Sequence, residues 1–154
     1  MKLFKTHETV YSPITGIVKD ITFSEDEIFA SKALGDGVVI IPSGNTILAP
    51  IDGIITSLAD TKHSFGITNK SGIELLVHIG IDTVSLDGQA FTICKGVAKG
   101  TKVFAGQKIM SVNLEEIIAS NLSTQTMVAN TSNNVLTEKV NTYTDAGDEI
   151  FKIQ

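Results

Sequence analysis

Two short motifs each occur twice in this chain, and that repetition narrows the folds open to it more than any other feature. Ser12-Pro13-Ile14-Thr15-Gly16-Ile17-Val18 is echoed by Ala49-Pro50-Ile51-Asp52-Gly53-Ile54-Ile55. Val103-Phe104-Ala105-Gly106-Gln107-Lys108-Ile109 is echoed by Thr144-Asp145-Ala146-Gly147-Asp148-Glu149-Ile150. In each, a Pro or Gly breaks the hydrogen-bonded ladder just before an apolar run begins, which suits the corner of a folded-over sheet. Matched corners imply a duplicated β motif packed on itself. The period is not sustained often enough for a solenoid.

The remaining pattern agrees. Short β-rich runs at Gly16–Phe23, Gly37–Ile41, Thr46–Ala49, Gly53–Leu58, His63–Thr68, Ile73–Ile79, Phe91–Ile93, Lys108–Val112 and Glu149–Ile153 are punctuated by Gly, Asn and Asp. That spacing predicts an all-β fold, an antiparallel β-sandwich built from a duplicated motif. One or two short helical segments interrupt it. Asn113 to Asn121 is the clearer one, with Asn113 as cap, Glu116 at the capping-box position, and Leu114, Ile117 and Ile118 as its apolar face. Glu25–Ala33 holds at most a short turn of helix. With 154 residues, the chain is expected to form one domain, 1–154, with a real core.

Charge and cysteine content limit the partners. Twelve Lys+Arg against seventeen Asp+Glu give a net charge of −5, which argues against nucleic acid and fits steering toward a basic protein. The single cysteine, Cys94, forbids an intrachain disulfide and points to a reducing compartment. Within Phe91-Thr92-Ile93-Cys94-Lys95 it reads as a half-buried strand residue rather than a nucleophile. No apolar run approaches the roughly 20 residues that span a bilayer, and Met1-Lys2-Leu3-Phe4-Lys5 is too short for a signal segment. A cytoplasmic monomer without direct membrane insertion is therefore expected. Neither GxxxxGK[ST] nor GxGxxG occurs, so nucleotide binding is not expected, and HExxH, CxxC and GxSxG are also missing.

The chemistry concentrates between Thr61 and Asp82. Two strands joined through Asn69-Lys70-Ser71-Gly72 form a hairpin. Alternation puts Thr61, His63, Phe65 and Ile67 on one face, and Glu74, Leu76 and His78 on one face of the second strand. A turn centred between Lys70 and Ser71 sets Phe65 opposite Leu76 and His63 opposite His78. One centred on Ser71-Gly72 sets Phe65 opposite His78 and leaves the histidines diagonal. Either way, two of the three histidines become neighbours in a collar of Phe65 and Leu76. Such a pair suits metal ligation, acid–base work or a nucleophilic imidazole that carries a group. For phosphoryl transfer, one imidazole attacks while the other donates to the equatorial oxygens. Thr61 is placed to fix the tautomer and orientation of His63. Zinc is the competing occupant of His63 and His78, but a catalytic zinc takes three protein ligands. The spare donors, Asp82 and His7, do not share that face.

At these residues the sequence resembles the glucose-family IIA component of the bacterial phosphoenolpyruvate-dependent sugar phosphotransferase system. The matching stretches are 11–18, 29–37, 42–53, Thr-Lys-His-Ser-Phe-Gly-Ile at 61–67 and Gly-Ile-Glu-Leu-Leu-Val-His-Ile-Gly-Ile-Asp-Thr-Val at 72–84. The resemblance implies that His78 is phosphorylated through Nε2, that His63 contacts the phosphoryl group, and that Thr61 bonds His63. The donor would be the histidine phosphocarrier protein, and the acceptor a cysteine on the IIB domain of a membrane sugar permease. No cofactor would be required, with zinc as an option at the histidine pair. Docking would use an apolar depression of Ile28, Phe29, Leu34, Phe65 and Leu76, with Asp26 and Asp82 receiving basic partner groups. Ala59, Leu76 and Ile79 stand where enteric relatives carry phenylalanine, so the depression is less aromatic. A binding module that selects partners by phosphorylation state is the alternative function, and a zinc hydrolase the third.

Overall fold

The computed structural model describes residues 7–154; the Met1–Lys5 stretch lies outside them. The strands among the described residues are β1 Glu8–Tyr11, β2 Gly16–Asp20, β3 Asp36–Pro42, β4 Thr46–Leu48, β5 Gly53–Leu58, β6 Ser64–Thr68 and β7 Glu74–Ile79. They continue as β8 Phe91–Ile93, β9 Lys102–Val103, β10 Lys108–Val112, β11 Thr126–Asn130, β12 Leu136–Thr137, β13 Tyr143–Thr144 and β14 Glu149–Ile153. An eight-stranded sheet runs in the order β13-β2-β3-β11-β7-β6-β5-β9, and two three-stranded sheets run β1-β14-β12 and β4-β10-β8. Neighbouring strands are antiparallel throughout. The fold is a β-sandwich.

The duplication is visible in the topology. Each Pro-x-x-Gly corner opens a strand, β2 and β5, near opposite ends of the large sheet, and the short edge strands β13 and β9 flank them. The second repeated motif runs from each edge strand into the middle strand of a small sheet, β10 or β14. The seams match bond for bond. Ser12 N–H donates to Asp148 O at 2.7 Å and Gly147 N–H to Ser12 O at 2.9 Å. Ala49 N–H donates to Gln107 O at 2.8 Å and Gly106 N–H to Ala49 O at 2.9 Å.

One face of the large sheet fills the core. Across β3, β11, β7 and β6 the row Val38, Val128, Val77 and Phe65 is fully buried, packed in one cluster with Ile109, Met110, Phe151 and Ile153 of the small sheets. Each such side chain contributes about 1.5–3 kcal/mol by leaving water. The next row, Val39, Met127, His78 and Ser64, faces the other way. There a second, smaller apolar cluster forms from Ile21, Phe29, Val39, Met127 and Ala129, with Leu76 and Ile81 against it.

The β6–β7 register differs from both turns considered above. Thr68 pairs with Glu74, Phe65 with Val77 and Ser64 with His78. The connection Asn69 to Ile73 has an odd number of residues, pinned by Asn69 Oδ1, which accepts from Ser71 and Ile73 N–H at 3.0 and 2.9 Å. A one-residue change of register exchanges the faces of a strand. Phe65 is therefore a core residue, 1% exposed, and neither collars the histidines nor belongs to a docking surface.

The helices are short. α2 spans Leu114–Ala119, and Asn113 caps it by accepting from Glu116 N–H at 3.1 Å. Ile117 is buried, but Ile118 is exposed. α1 is a single turn, Glu27–Ala30, capped by Asp26, whose carboxylate accepts from Ile28 N–H at 2.9 Å. The run expected to continue as strand to Phe23 leaves β2 at Asp20 and closes a 3-10 turn over Ile21–Phe23. That turn and α1 bring Ile21 and Phe29 onto the outer face of the sheet.

Candidate active site

His78 sits near the end of β7, next to the central strand β11, where Met127 lies directly opposite. Its Nδ1 is 2.9 Å from Gly80 O. A carbonyl only accepts, so Nδ1 carries the proton and Nε2 keeps a free lone pair. The acceptor is held in place. Gly80 has φ +78, and a Cβ there would lie 2.3 Å from Thr83 Cγ2. Thr83 is fully buried and donates its hydroxyl to Ile79 O at 2.6 Å. Gly80 N–H donates to Gln125 O at 2.9 Å, which anchors the turn to the adjacent loop.

His63 lies one residue ahead of β6, after Lys62 at φ +63. Strand alternation alone would have put it on the core face with Phe65. The left-handed residue and the bend turn it outward instead. Its ring stands at 77° to that of His78, with centroids 5.0 Å apart, and its Nδ1 shares a 2.7 Å hydrogen bond with Thr61 Oγ1. When Thr61 donates, His63 presents Nε2–H toward the space before His78.

Both rings are held below the usual 6.5. Burial is the main cause for each. At His63 the adjacent His78 lowers it further. At His78 the Gly80 carbonyl and the charges of Asp26 and Asp82 partly restore it. Near neutral pH the pair is uncharged, and the His78 imidazole is competent as a nucleophile.

The structure brings most of the expected surroundings together. Leu76 is half-buried on the same face as His78, and Phe29 packs its ring 5.2 Å from the His78 ring. Phe29 is only 3% exposed, so it walls the imidazole rather than offering open docking area. Ile28 and Leu34, in and after α1, are 57% and 39% exposed. Asp26 and Asp82 lie close enough to His78 to act on its charge, and Asp82 is exposed. Met127 and Val39 complete the apolar floor and were not anticipated. The signal for Met127 was there, since Thr126-Met127-Val128-Ala129 is a short apolar run that fits a fully buried strand. Cys94 follows β8, half-buried.

A metal at the pair would have only Nε2 of each ring to bind. Each Nδ1 is engaged, which leaves one nitrogen per ring. Among the described residues no group of three His, Cys, Asp or Glu side chains is arranged to hold a metal. His7 is exposed ahead of β1.

Comparison with known proteins agrees with this fold. The family described as phosphoenolpyruvate-dependent sugar phosphotransferase system, EIIA 1, matches residues 8–136. The glucose-specific EIIA component of Bacillus anthracis is 38% identical over 150 residues, covering 95% of this chain and 90% of that protein. The glucose-specific EIICBA component of Streptococcus pneumoniae is 41% identical over 129 residues, 84% of this chain but only 18% of that longer protein. The solved structure of glucose permease IIA from Mycoplasma capricolum superimposes with a TM-score of 0.91 at 35% identity, covering 99% of both chains. No helix among the described residues is long and apolar enough to cross a membrane. A β-sandwich with two neutral, cross-facing imidazoles, matched over most of its length by these relatives, belongs to the glucose-type EIIA family of the phosphoenolpyruvate-dependent sugar phosphotransferase system.

Proposed function

We propose that this chain is a phosphocarrier that takes a phosphoryl group on His78 Nε2 from the histidine phosphocarrier protein and hands it to a cysteine of a sugar permease IIB domain. The observation that carries the reading is the 2.9 Å contact between His78 Nδ1 and Gly80 O, which leaves Nε2 as the free nucleophile. In the accepting step the donor's N–P bond breaks as the His78 Nε2–P bond forms, and the donor imidazole regains its lone pair. The product ring keeps its Nδ1 proton and is cationic. The Gly80 carbonyl and the carboxylates of Asp26 and Asp82 stabilise that charge. His63 Nε2–H donates to the equatorial oxygens, oriented by Thr61. Onward transfer reverses the sequence, with a cysteine thiolate forming S–P as N–P breaks.

Phe29, Met127 and Leu76 limit water around the phosphoimidazole and so slow hydrolysis. Ile28 and Leu34 offer apolar contact to a partner, while the acidic groups draw basic residues and raise the encounter rate of a transient complex. The IIB partner is supported by relatives in which EIIA and EIIB share one chain, such as the EIICBA components of Streptococcus pneumoniae and Staphylococcus carnosus. The reading calls for no cofactor.

Intact mass after incubation with phosphoenolpyruvate, enzyme I and histidine phosphocarrier protein tests it. Wild type is expected to gain one acid-labile phosphoryl group and His78→Gln none. Label on His78→Gln would refute the choice of nucleophile. No gain on wild type, with donors shown competent on another acceptor, would refute the carrier function.

A further inference from the structure

We propose that Ser64 is a further phosphoryl ligand, its hydroxyl donating to an oxygen of the group carried on His78; this rests on the phosphocarrier reading above. Ser64 and His78 are direct cross-strand partners. Ile79 N–H donates to His63 O at 2.7 Å, which makes His63 and Ile79 a hydrogen-bonded pair. Ser64 and His78 are consequently the adjacent non-hydrogen-bonded pair. In such pairs opposed side chains approach most closely, with Cβ atoms roughly 4.5–5.5 Å apart.

Two further observations point the same way. Ser64 lies on the outward face, since its neighbours Phe65 and Val77 occupy the core side. It is half-buried, no side-chain hydrogen bond among the described residues claims its hydroxyl, and that hydroxyl is not a buried group left without a partner. The imidazole of His63 and the hydroxyl of Ser64 thus approach the phosphoryl position from successive residues of one strand end.

A hydroxyl bound to a charged oxygen is strongest where the charge is concentrated. Ser64 therefore acts on the phosphorylated state and on the transfer step rather than on docking. Removing one such donor costs about tenfold or more in rate.

The test measures phosphorylation kinetics of wild type, Ser64→Ala and Ser64→Thr with phosphorylated histidine phosphocarrier protein, together with the ³¹P resonance of each phosphoprotein. Ser64→Ala is expected to lower the maximal transfer rate about tenfold, with the half-saturating carrier concentration unchanged and the ³¹P resonance displaced. Ser64→Thr, which keeps a hydroxyl, is expected to stay near wild type in both. Equal rates and equal resonances in wild type and Ser64→Ala overturn this proposal alone. A changed half-saturating concentration at unchanged maximal rate also overturns it, in favour of a docking contact. If wild type takes no phosphoryl group, this proposal and the carrier reading fall together. Should Ser64→Ala be less stable, the resonance of its folded fraction still reports the lost hydrogen bond.

Discussion

Replacing Gly80 by alanine perturbs the acceptor that fixes the His78 tautomer without touching either histidine. Two costs add. A non-glycine residue at φ +78 loses about 1–2 kcal/mol to contact between Cβ and its own backbone. The new Cβ also falls 2.3 Å from Thr83 Cγ2 and 3.1 Å from Ser123 O. Thr83 cannot swing aside without giving up its 2.6 Å bond to Ile79 O, so overpacking adds about 1–3 kcal/mol. The expected loss is roughly 2–5 kcal/mol in urea unfolding. In ¹⁵N spectra at neutral pH, the single Nδ1–H form of His78 should give way to a mixture of tautomers. Thr83→Ser keeps the hydroxyl and deletes the clashing methyl, so in the double variant the packing cost should shrink while the backbone cost stays. A loss below about 1 kcal/mol for Gly80→Ala, or no recovery in the double variant, would refute the claim that this turn is locked sterically.

Thr61→Val should leave His78 able to accept a phosphoryl group but slow onward transfer to IIB about 10–100-fold, the usual cost of losing an orienting partner; comparing label uptake with coupled sugar phosphorylation separates the two. Both histidines have folded values below 6.5, so on acidification the unfolded chain takes up protons first. Their contribution to stability is full above 6.5 and is lost as pH falls from there toward the folded values; urea midpoints across that range should show this fall, flattened in His78→Gln. Phosphoryl acceptance should hold its plateau to below pH 6.5, because neutral imidazole persists there. Lys139 bridges Asp20 at 2.7 Å and Asp36 at 2.5 Å. Burial alone would raise the Asp20 carboxyl, but hydrogen bonds from Lys139 and Thr22 outweigh it and lower it to about 2. Lys139→Met should cost about 1 kcal/mol at neutral pH, since these groups remain partly solvated. That difference is present above 3.8 and should vanish as pH falls through about 2.

The sandwich, the repeated corners, α2 and the pairing of His63 with His78 were legible because each leaves a local mark. A Pro-x-x-Gly corner, an Asn cap and a polar turn between apolar runs act over a few residues. The hairpin parity did not. Both candidate turns assumed an even connection, whereas Asn69 to Ile73 is odd, and so Phe65 points into the core. The histidine pair survives that error because His63 stands outside β6, reoriented by Lys62. Strand β11 went unrecognised for a different reason. All five of its residues are buried, so it shows no alternation, yet it is the strand that lays Met127 beneath His78. Phe29 was correctly placed near the site from resemblance, but its burial depends on how one turn of helix sits on the sheet, which no periodicity encodes.

The seams between the repeated motifs have a consequence for the order in which the chain acquires structure. Ser12 is bonded to Gly147 and Asp148, and among the described residues β1 pairs with no strand but β14. Among the described residues, the first strand in chain order thus waits for the fourteenth. Until Ile153 has left the ribosome, β1 has no strand partner, only the backbone bond from Tyr11 N–H to Pro50 O, and its small sheet is incomplete. Contacts of such sequence separation form late and slowly, leaving the growing chain with open sheet edges for chaperones to cover. Closure of the sandwich cannot precede the synthesis of β14.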